Sequence, residues 1–337
     1  CKFNTEGDSA PMRRILLRDI AGKAGVSLRT VQRVLNGEEH VNPSTRRHVS
    51  SVLSRYGYLL RQGTRREKLL IYGREGNPMI ELLMKGILQD EYEVTRLSFS
   101  DSPSTFRKAV LEADIAVLFS NPSEADMAKI REWNPDVFRI VCSYGSVHDA
   151  ELLITPNNQG IGACAADYLC REMGYPAVFA ILPDKGIDFM ERIKAFAGQV
   201  LIQYPDVKLE IFRSRSVEEN FEPLFRNPAF HGAGVFIPGC VLAREFMRAA
   251  DSFGIRIPED AGVISCDNPA HFLIEERLKD WTYPTFIEFH EAQSVEWVLY
   301  YLKYRPRTIL TPAVTYLPFA LVENNSTRKR SKGVGEL

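Results

Sequence analysis

Residues that bind metals or build common catalytic centres are scarce in this chain of 337 residues. It has six histidines and six cysteines, and no two cysteines form a C-x-x-C pair. No histidine stands near them at zinc-ligand spacing, so we expect buried thiols in a reducing compartment and no metal or other cofactor. No apolar stretch reaches membrane-spanning length, and the first residues lack the apolar core of a signal peptide. These absences predict a cytoplasmic protein.

Sequence signatures of the large enzyme classes are also missing. We find no G-x-S-x-G, no phosphate-binding loop, no H-E-x-x-H and no G-x-G-x-x-G after a strand. The acidic pairs Glu218-Glu219 and Glu275-Glu276 are adjacent on predicted helices, where neighbouring side chains do not face one reaction centre. The histidines of the body, after the N-terminal segment, are scattered along the sequence at His148, His231, His271 and His290. The sequence therefore predicts a protein that is not an enzyme, and a sugar-processing enzyme is the more distant alternative.

Positive charge is concentrated near the N-terminus. From Met12 to Lys68 there are thirteen Lys or Arg residues against four Asp or Glu, although the chain has a formal net charge of −1. A basic segment gains affinity for phosphates by releasing counterions, whereas an acidic body does not adhere to nucleic acid. A solvated charged face is the alternative interpretation. Length and charge together indicate a DNA-binding segment attached to a separate body of one or two domains.

The segment 17–37 predicts two short helices joined by a tight turn. Gly25-Val26-Ser27 supplies the turn and then an N-cap hydroxyl. The polar residues Arg29, Thr30 and Arg33 then share the exposed face. Apolar residues recur at helical spacing on the other side: Ile20, Ala24, Val31, Val34 and Leu35. This arrangement is typical of a helix-turn-helix that enters a DNA groove.

The same segment resembles the N-terminal DNA-binding domain of the lactose repressor family (LacI/GalR). The family pattern is close to L-x-D-[IV]-A-x-x-A-G-V-S-x-x-T-V-S-R-V-L-N, and the chain departs from it clearly only at Gln32, where serine is usual. Residues 41–58 are similar to the third helix of the family. The resemblance implies an all-α helix-turn-helix domain over 12–60, preceded by a disordered upstream extension, 1–11.

Beyond Lys68 short apolar runs alternate with helical segments, which is typical of parallel sheets with crossover helices. The predicted strands are 69–72, 94–99, 115–119, 138–142, 178–182, 209–212, 234–237 and 262–265. The predicted helices are 78–90, 160–173, 188–204 and 242–253. There is no internal repeat, and a polar, basic tail follows Ser326.

This body is similar to the sensing domain of the same family, which is related to periplasmic sugar-binding proteins. The matching segments are 157–160, 165–169, 173–175, 254–260, 263–268 and Ser326-Thr327. The resemblance implies an α/β, two-lobed, periplasmic-binding-protein-like effector domain over 69–327. Its first lobe would hold about 69–173 and 285–312, its second lobe about 175–283 and 314–326, and a basic tail would occupy 328–337.

The resemblance also implies which residues contact DNA. Leu28, Arg29 and Arg33 would read bases, an arginine contacting guanine O6 and N7. Residues suited to phosphates are Ser27, Thr30, Asn36 and Asn42, and Tyr58 is a further expected DNA contact. The hinge 61–68 is short and atypical, because it lacks the P-N-x-x-A-R-x-L run and its wedge leucine. We expect Arg61, Arg65 and Arg66 there to grip phosphates and the DNA to be kinked less than by relatives.

A ligand is expected between the lobes, at the carboxyl ends of the parallel strands. By resemblance, Arg192 would donate to effector oxygens and Asp267 would accept from ligand hydroxyls; a surface ion pair is the alternative for each. Strand-end residues expected to face the same cleft are Asn77, Ser120, Tyr144 and Thr285. Residues 239–243 replace the usual N-D-x-x-A, so a different effector is also compatible with the sequence.

The sequence thus predicts a DNA-binding transcriptional regulator, a repressor, that responds to a small polar ligand, a sugar or sugar derivative. The alternatives are an activator that senses a nucleobase or sugar phosphate, and a cytoplasmic solute-binding module without regulatory response. Helix-turn-helix units bind half-sites as dimers, so we expect a homodimer on double-stranded operator DNA. Helix 78–90 is the candidate interface, although its apolar residues equally suit a core. No C-terminal leucine heptad supports a tetramer.

Overall fold

The computed structural model describes residues 16–36, 41–56, 66–87, 91–145, 149–184, 186–214, 221–267, 283–304 and 313–330. The upstream extension 1–11 lies outside them, as do most of the hinge 61–68 and the end of the basic tail. The strands are β1 Glu67–Gly73, β2 Tyr92–Ser98, β3 Ile115–Phe119, β4 Phe138–Cys142, β5 Leu152–Pro156, β6 Ala177–Pro183, β7 Lys208–Ser214, β8 Gly234–Ile237, β9 Gly262–Cys266, β10 Thr285–Phe289, β11 Ala313–Leu317 and β12 Phe319–Val322.

The helices of the N-terminal domain are α1 Leu17–Ala24, α2 Leu28–Leu35 and α3 Pro43–Arg55. Those of the body are α4 Pro78–Gly86, α5 Pro103–Glu112, α6 Glu124–Trp133, α7 Asn158–Asp167, α8 Ile187–Gln203, α9 Glu222–Phe225, α10 Cys240–Ser252 and α11 Ala292–Tyr304. A π-helical turn, Tyr168–Glu172, continues α7.

The three N-terminal helices close a small core of their own. Its buried members are Ile20, Ala21, Ala24, Val31, Val34, Val49 and Leu53. Four of the five residues predicted for the apolar side are buried here, and Leu35 packs against them partly exposed. The prediction succeeds because helical spacing places these side chains on one stripe of each short helix.

The body contains two six-stranded sheets, and each defines a lobe. The first has the order β11-β5-β4-β3-β1-β2, and the second the order β12-β10-β9-β8-β6-β7. Neighbours in the first sheet are all parallel. In the second sheet only β12 runs antiparallel, against β10. Strands β3, β5, β8 and β9 are buried along their whole length, as expected of parallel strands covered by helices on both faces.

The predicted lobe boundaries near the C-terminus were wrong at two strands. Residues 285–289 were assigned to the first lobe, but β10 pairs with β9 in the second sheet. Residues 314–317 were assigned to the second lobe, but β11 pairs with β5 in the first sheet. The chain therefore crosses between lobes after β5, between β10 and α11, and between β11 and β12, where Pro318 is the single connecting residue. Strand pairing across such sequence distances leaves no local signal.

Helix α7 lies where the chain first crosses between the lobes, and it packs on α8 of the second lobe. A Cβ on Gly162 would lie 2.2 Å from the backbone oxygen of Arg192 and 2.8 Å from the amide nitrogen of Phe196. The two helix backbones therefore approach closely at this glycine. This contact fixes the rotation of α8, and with it the direction of the Arg192 side chain.

Helix α4 ends at Gly86 rather than at residue 90. A Cβ on Gly86 would lie 2.5 Å from Leu299 Cδ1 of α11, so the two helices pack tightly here. Ile80 and Leu83 are buried, whereas Leu82 is 41% exposed. The helix therefore contributes core residues on one side and leaves an apolar residue on the other.

The C-terminal segment is structured further than the predicted tail boundary. Arg328 N donates to Tyr175 Oη at 3.1 Å, and Arg330 N donates to the carbonyl of Met173 at 2.8 Å. The guanidinium of Arg330 lies 5.3 Å from the centre of the Tyr175 ring. Residues 328–330 thus belong to the second lobe, because their backbone and one cation pack on it.

Candidate functional site

The turn of the helix-turn-helix is set by Gly25 and Ser27. Gly25 has φ +62°, and the N–H groups of Gly25 and Val26 donate to carbonyls in the last turn of α1. This left-handed position favours glycine because a Cβ would strain it. Ser27 Oγ then accepts from Thr30 N at 3.1 Å and caps α2, which confirms the predicted N-cap.

The predicted DNA-contacting residues of α2 lie opposite its buried side. Leu28 is 42% exposed, Arg29 is exposed and Arg33 is partly buried, while Val31 and Val34 face the core. Arg29 and Arg33 are four residues apart and thus neighbours on one helix face. Ser27 and Asn36 are exposed, and Thr30 is partly buried, beside them.

Asn42 has a structural role at the start of α3. Its Oδ1 accepts from Ser44 N at 2.9 Å and from Ser44 Oγ at 2.7 Å, so the carbonyl oxygen is already engaged. The side-chain amide hydrogens are the part suited to a phosphate. The remaining predicted contacts, Tyr58, Arg61 and Arg65, lie outside the described residues.

In the body, the two residues predicted for ligand binding meet each other. Arg192 is 0% exposed on α8, and its Nη1 lies 2.7 Å from Asp267 Oδ1 directly after β9. The same Nη1 donates to the carbonyl of Pro238 at 2.7 Å, and Nε donates to Asn158 Oδ1 at 2.9 Å. Arg192 Nη2 is buried without a hydrogen-bond partner among the described residues. Burial acts to lower the pKa of Arg192, but Asp267, Cys266 and Asp188 outweigh it and raise the pKa above its usual value.

Asn158 links this pair to the first lobe. Its Nδ2 donates to the backbone oxygen of Tyr144 at 2.7 Å and to Glu191 Oε2 at 3.0 Å. Tyr144 in turn donates its hydroxyl to Glu291. Burial first, and then the charge and hydrogen bond of Glu291, raise the pKa of Tyr144. A continuous polar network thus runs from the strand ends of one sheet to those of the other.

We call this network, with one further carboxylate, the cleft cluster: Tyr144, Asn158, Asp188, Glu191, Arg192, Asp267 and Glu291. Asp188 lies in the first turn of α8, and burial raises its pKa, as does the charge of Asp267, whereas Arg192 and two backbone amides act to lower it. The rings of Phe189 and Phe289 lie 5.9 and 5.6 Å from the Arg192 guanidinium. The ring of Tyr144 lies 5.9 Å from that of Phe289.

The backbone at Asp267 is held in a conformation that is uncommon for a side chain with a Cβ. Its φ is +71°, and its N–H donates to the carbonyl of Ile287 at 2.9 Å. Opposite it, a Cβ on Gly239 would lie 2.9 Å from the Phe189 ring and 3.4 Å from Asp267 Oδ2. A residue with a Cβ held at positive φ, such as Asp267, costs of order 1–3 kcal/mol, and such residues cluster at functional sites. Gly239 leaves the space in which the ring and carboxylate sit.

Two other predicted cleft residues lie at the expected edge of the first sheet. Asn77 follows β1 and caps α4, with its Oδ1 accepting from Met79 N at 2.9 Å. Ser120 follows β3 and is partly buried. Beside it, Asn121 Oδ1 accepts from Tyr144 N at 2.9 Å and from the Ser143 hydroxyl at 2.8 Å. Asn121 therefore holds the loop that carries Tyr144.

The prediction that Thr285 faces the cleft was wrong. Thr285 is fully buried at the beginning of β10, the opposite end from the carboxyl edge. Its N–H donates to Ser326 Oγ at 2.6 Å, and its hydroxyl donates to the carbonyl of Asn324 at 3.0 Å. It fastens the C-terminal segment to the second sheet, a role that could not be seen before the bounds of β10 were known.

Sequence reasoning also missed several members of the cleft cluster. Asn158 stands inside the 157–160 motif that was noticed, and Asp188 precedes Arg192 by one helical turn. Glu291 follows a strand that the apolar pattern did not reveal. A search for carboxylates within one helical turn of Arg192 would have found Asp188 and Glu191, whereas Asn158 and Glu291 required the positions of α7 and β10.

Two absences hold for the part of the chain that the structure describes. It contains no group of three or more His, Cys, Asp or Glu residues placed to hold a metal ion. None of its helices is both long enough and apolar enough to span a membrane. Burial raises the pKa of the thiols of Cys170 and Cys240 to about 12, so both are protonated at neutral pH.

Comparison with known proteins identifies the N-terminal domain. Residues 16–59 match the family described as bacterial regulatory proteins, lacI family. This domain belongs to the lacI family. The match covers α1, α2 and α3, the lacI-family helix-turn-helix with its following helix. No curated protein matches the chain by sequence.

Solved structures of transcriptional regulators share the fold of most of the chain. The transcriptional regulator CelR in complex with cellobiose is 18% identical, with a TM-score of 0.59 over 93% of this chain and 100% of its own. The lac repressor dimer bound to operator and an anti-inducer is 16% identical, with a TM-score of 0.58 over 94% and 100%. A LacI family regulator from Enterococcus faecalis with bound ribose is 15% identical, with a TM-score of 0.58 over 79% and 100%. The body therefore has the two-lobed α/β fold of these regulators.

Proposed function

We propose that this chain is a sequence-specific DNA-binding transcriptional regulator of the cytoplasm, a repressor whose operator affinity is controlled by a small polar ligand. One observation carries the proposal. A lacI-family helix-turn-helix with Leu28 and Arg29 exposed is joined to a two-lobed domain with Arg192 and Asp267 buried where the strand ends of its lobes meet. Neither part suggests an enzyme.

The helix α2 is the element that reads sequence in this proposal. Arg29 and Arg33 have the forked donors that pair with guanine O6 and N7, and Leu28 suits the methyl group of thymine. The contacts that position the domain on phosphates come from Ser27, Thr30, Asn36 and Asn42, together with Tyr58, Arg61 and Arg65 of the following segment. The lac repressor, which shares the fold, is described as bound to operator.

The ligand binds at the cleft cluster and is a sugar or sugar derivative. Carboxylates, an amide and a guanidinium supply acceptors and donors for hydroxyl groups, and Phe189 and Phe289 supply apolar faces. Two solved relatives are described with cellobiose and with ribose. A ligand shifts DNA affinity only if it binds two lobe arrangements with different free energies.

The regulator acts as a homodimer, because one short recognition helix buries too little surface for useful specificity. Helix α4 with exposed Leu82 is the proposed contact of the sensing domain. Sedimentation of the purified chain tests this part. A monomer at the concentrations that bind operator would contradict it.

The first experiment measures fluorescence anisotropy of the purified protein with a library of palindromic duplexes at fixed salt. A panel of sugars, nucleobases and sugar phosphates is then added. Selective binding that one compound weakens supports a repressor, and binding that a compound strengthens indicates an activator or a corepressor ligand. Weak binding that depends only on salt and responds to no compound would contradict the proposal.

The substitution Arg33→Ala tests the role of α2 directly. We expect it to cost roughly 1 to 3 kcal/mol of discrimination at one operator position, leaving other positions unchanged. Arg226→Ala is the matched control, because this arginine pairs with Glu222 on the surface of the body. An unchanged base preference in Arg33→Ala would remove the assignment.

A further inference from the structure

The charge of the cleft cluster indicates which kind of ligand it takes. Four carboxylates, Asp188, Glu191, Asp267 and Glu291, belong to the cluster together with one guanidinium, that of Arg192. The charge of Arg192 is already balanced by Asp267 at 2.7 Å. Among the described residues the cluster therefore has more carboxylates than cations, and it is partly enclosed, where opposite charges attract more strongly than in water.

Two of these carboxylates, Asp188 and Glu291, form no ion pair within the described part of the chain. Glu291 accepts from the Tyr144 hydroxyl, and Asp188 lies beside backbone amides at the start of α8, which act to lower its pKa. Arg192, the cation nearest to Asp188 along α8, directs its Nη1 at Asp267 and Pro238 instead. A buried or half-buried carboxylate without a cation costs free energy, which a ligand cation recovers on binding.

The start of α8 also argues against an anionic ligand. The N-terminus of a helix offers free N–H groups and a positive dipole end, which commonly bind phosphate. In this chain the Asp188 carboxylate already lies beside the backbone amides of Asp188 and Phe189, which act to lower its pKa. A phosphate would have to displace this side chain and approach the other carboxylates, so a sugar phosphate is disfavoured.

An independent observation favours a ligand that also carries an oxygen. Arg192 Nη2 is buried within the cluster and has no acceptor among the described residues, which is expensive for a guanidinium donor. A ligand hydroxyl or ring oxygen would satisfy it. The rings of Tyr144 and Phe289, with centroids 5.9 Å apart, supply faces that attract a cation and pack against a carbohydrate.

We propose that the cleft binds a polyhydroxylated ligand bearing a protonated amine, of the amino sugar class, in preference to neutral sugars and sugar phosphates. The amine contacts Asp188 and Glu291, and an oxygen of the ligand accepts from Arg192 Nη2. This inference rests on the proposed function, since it names the ligand class of the same cleft.

Calorimetric titration of the full chain with stereochemically matched compounds tests the preference for an amino sugar. The probes are glucosamine, glucose and glucose 6-phosphate, and galactosamine with galactose, at neutral pH. We expect the amine of at least one set to bind about tenfold tighter than its neutral partner, the size of one charge-assisted hydrogen bond. Equal or tighter binding of the neutral or phosphorylated member, or no binding by any probe, overturns the proposal.

Substitutions in the cleft cluster test which carboxylates cause the preference for the amine. Asp188→Asn and Glu291→Gln keep the side-chain shape, and each should reduce the ratio of amine affinity to neutral-sugar affinity severalfold. Asp206→Asn and Glu93→Gln remove exposed carboxylates elsewhere on the body and serve as controls. An amine preference that survives both cleft substitutions also overturns the proposal. Thermal melting of each variant shows that it folds.

Operator binding measured in parallel separates the two hypotheses. If a neutral sugar binds the cleft and shifts operator affinity, the regulator is retained and the amine preference is wrong. If the amine binds as expected but the chain shows no operator selectivity, the ligand class is retained and the regulatory proposal is wrong.

Discussion

Arg192 and Asp267 form an ion pair that joins α8 to the end of β9, with Nη1 2.7 Å from Oδ1. Asp267 is 8% exposed, so removal of the guanidinium leaves a buried carboxylate without a cation. We expect Arg192→Met to lower the free energy of unfolding by about 3 to 5 kcal/mol, measured by urea denaturation. Arg226→Met, which breaks the surface pair with Glu222, should cost less than about 0.5 kcal/mol. Similar losses in the two variants would contradict the prediction.

The close approach of α7 and α8 gives a second prediction. Gly162→Ala places a methyl group against backbone atoms of Arg192 and Phe196, which cannot move without displacing the helix. We expect a loss of roughly 1 to 3 kcal/mol or more. Gly198→Ala on α8 has no atom within 4 Å of the new Cβ and should gain up to about 1 kcal/mol from helix propensity. Urea unfolding of both variants decides the matter, and a tolerated Gly162→Ala would show that the helices separate easily.

The turn of the helix-turn-helix gives a third prediction from another pair of glycines. Both Gly22 and Gly25 have open space for a Cβ, but only Gly25 has a positive φ. Gly25→Ala should therefore cost about 1 kcal/mol of strain, whereas Gly22→Ala in α1 should gain a similar amount. Hydrogen exchange of the amides in α1 and α2 measures this local stability. The same effect in both variants would mean that backbone conformation does not decide it.

The partly buried carboxyl of Asp188 predicts a pH dependence of stability. Its pKa in the folded chain is raised above the ordinary 3.8, so the folded state binds this proton more tightly than the unfolded state. Stability from this group therefore falls as the pH rises from 3.8 through the raised pKa. Asp188→Asn should be more stable than the parent at neutral pH, and the difference should vanish below pH 3.8. Thermal melts across pH measure it, with Asp206→Asn as the control. A difference that stays constant with pH would contradict the assignment.

Local patterns predicted the N-terminal domain well. Apolar residues at helical spacing, a glycine at the turn and Ser27 as the cap are all encoded within twenty residues. The bounds of β3, β4 and β8 were also predicted correctly, from short runs that are apolar apart from Arg139 in β4. Strands that carry exposed residues, such as β11 with Val314 and Tyr316, have a weaker signal.

Which sheet a strand joins, and which residues form the site, depend on contacts between residues that are far apart in the sequence. The pairing of β11 with β5 and of β10 with β9 decides the lobes, and no local feature encodes it. Arg192 and Asp267 could be selected by resemblance, but their ion pair across 75 residues could not. Thr285 was misplaced because the direction of its strand was unknown.

The way β11 closes the first sheet has a consequence for synthesis in the cell. Its partner strand β5 ends at Pro156, so this sheet stays incomplete until about 160 further residues have left the ribosome. Synthesis adds residues at roughly 5 to 20 per second. During that interval β5 is an exposed edge strand, built of Leu152, Leu153 and Ile154, and such edges pair with other chains. Nascent chains halted before residue 313 should therefore depend on chaperones, and no single cut in the gene yields two complete lobes.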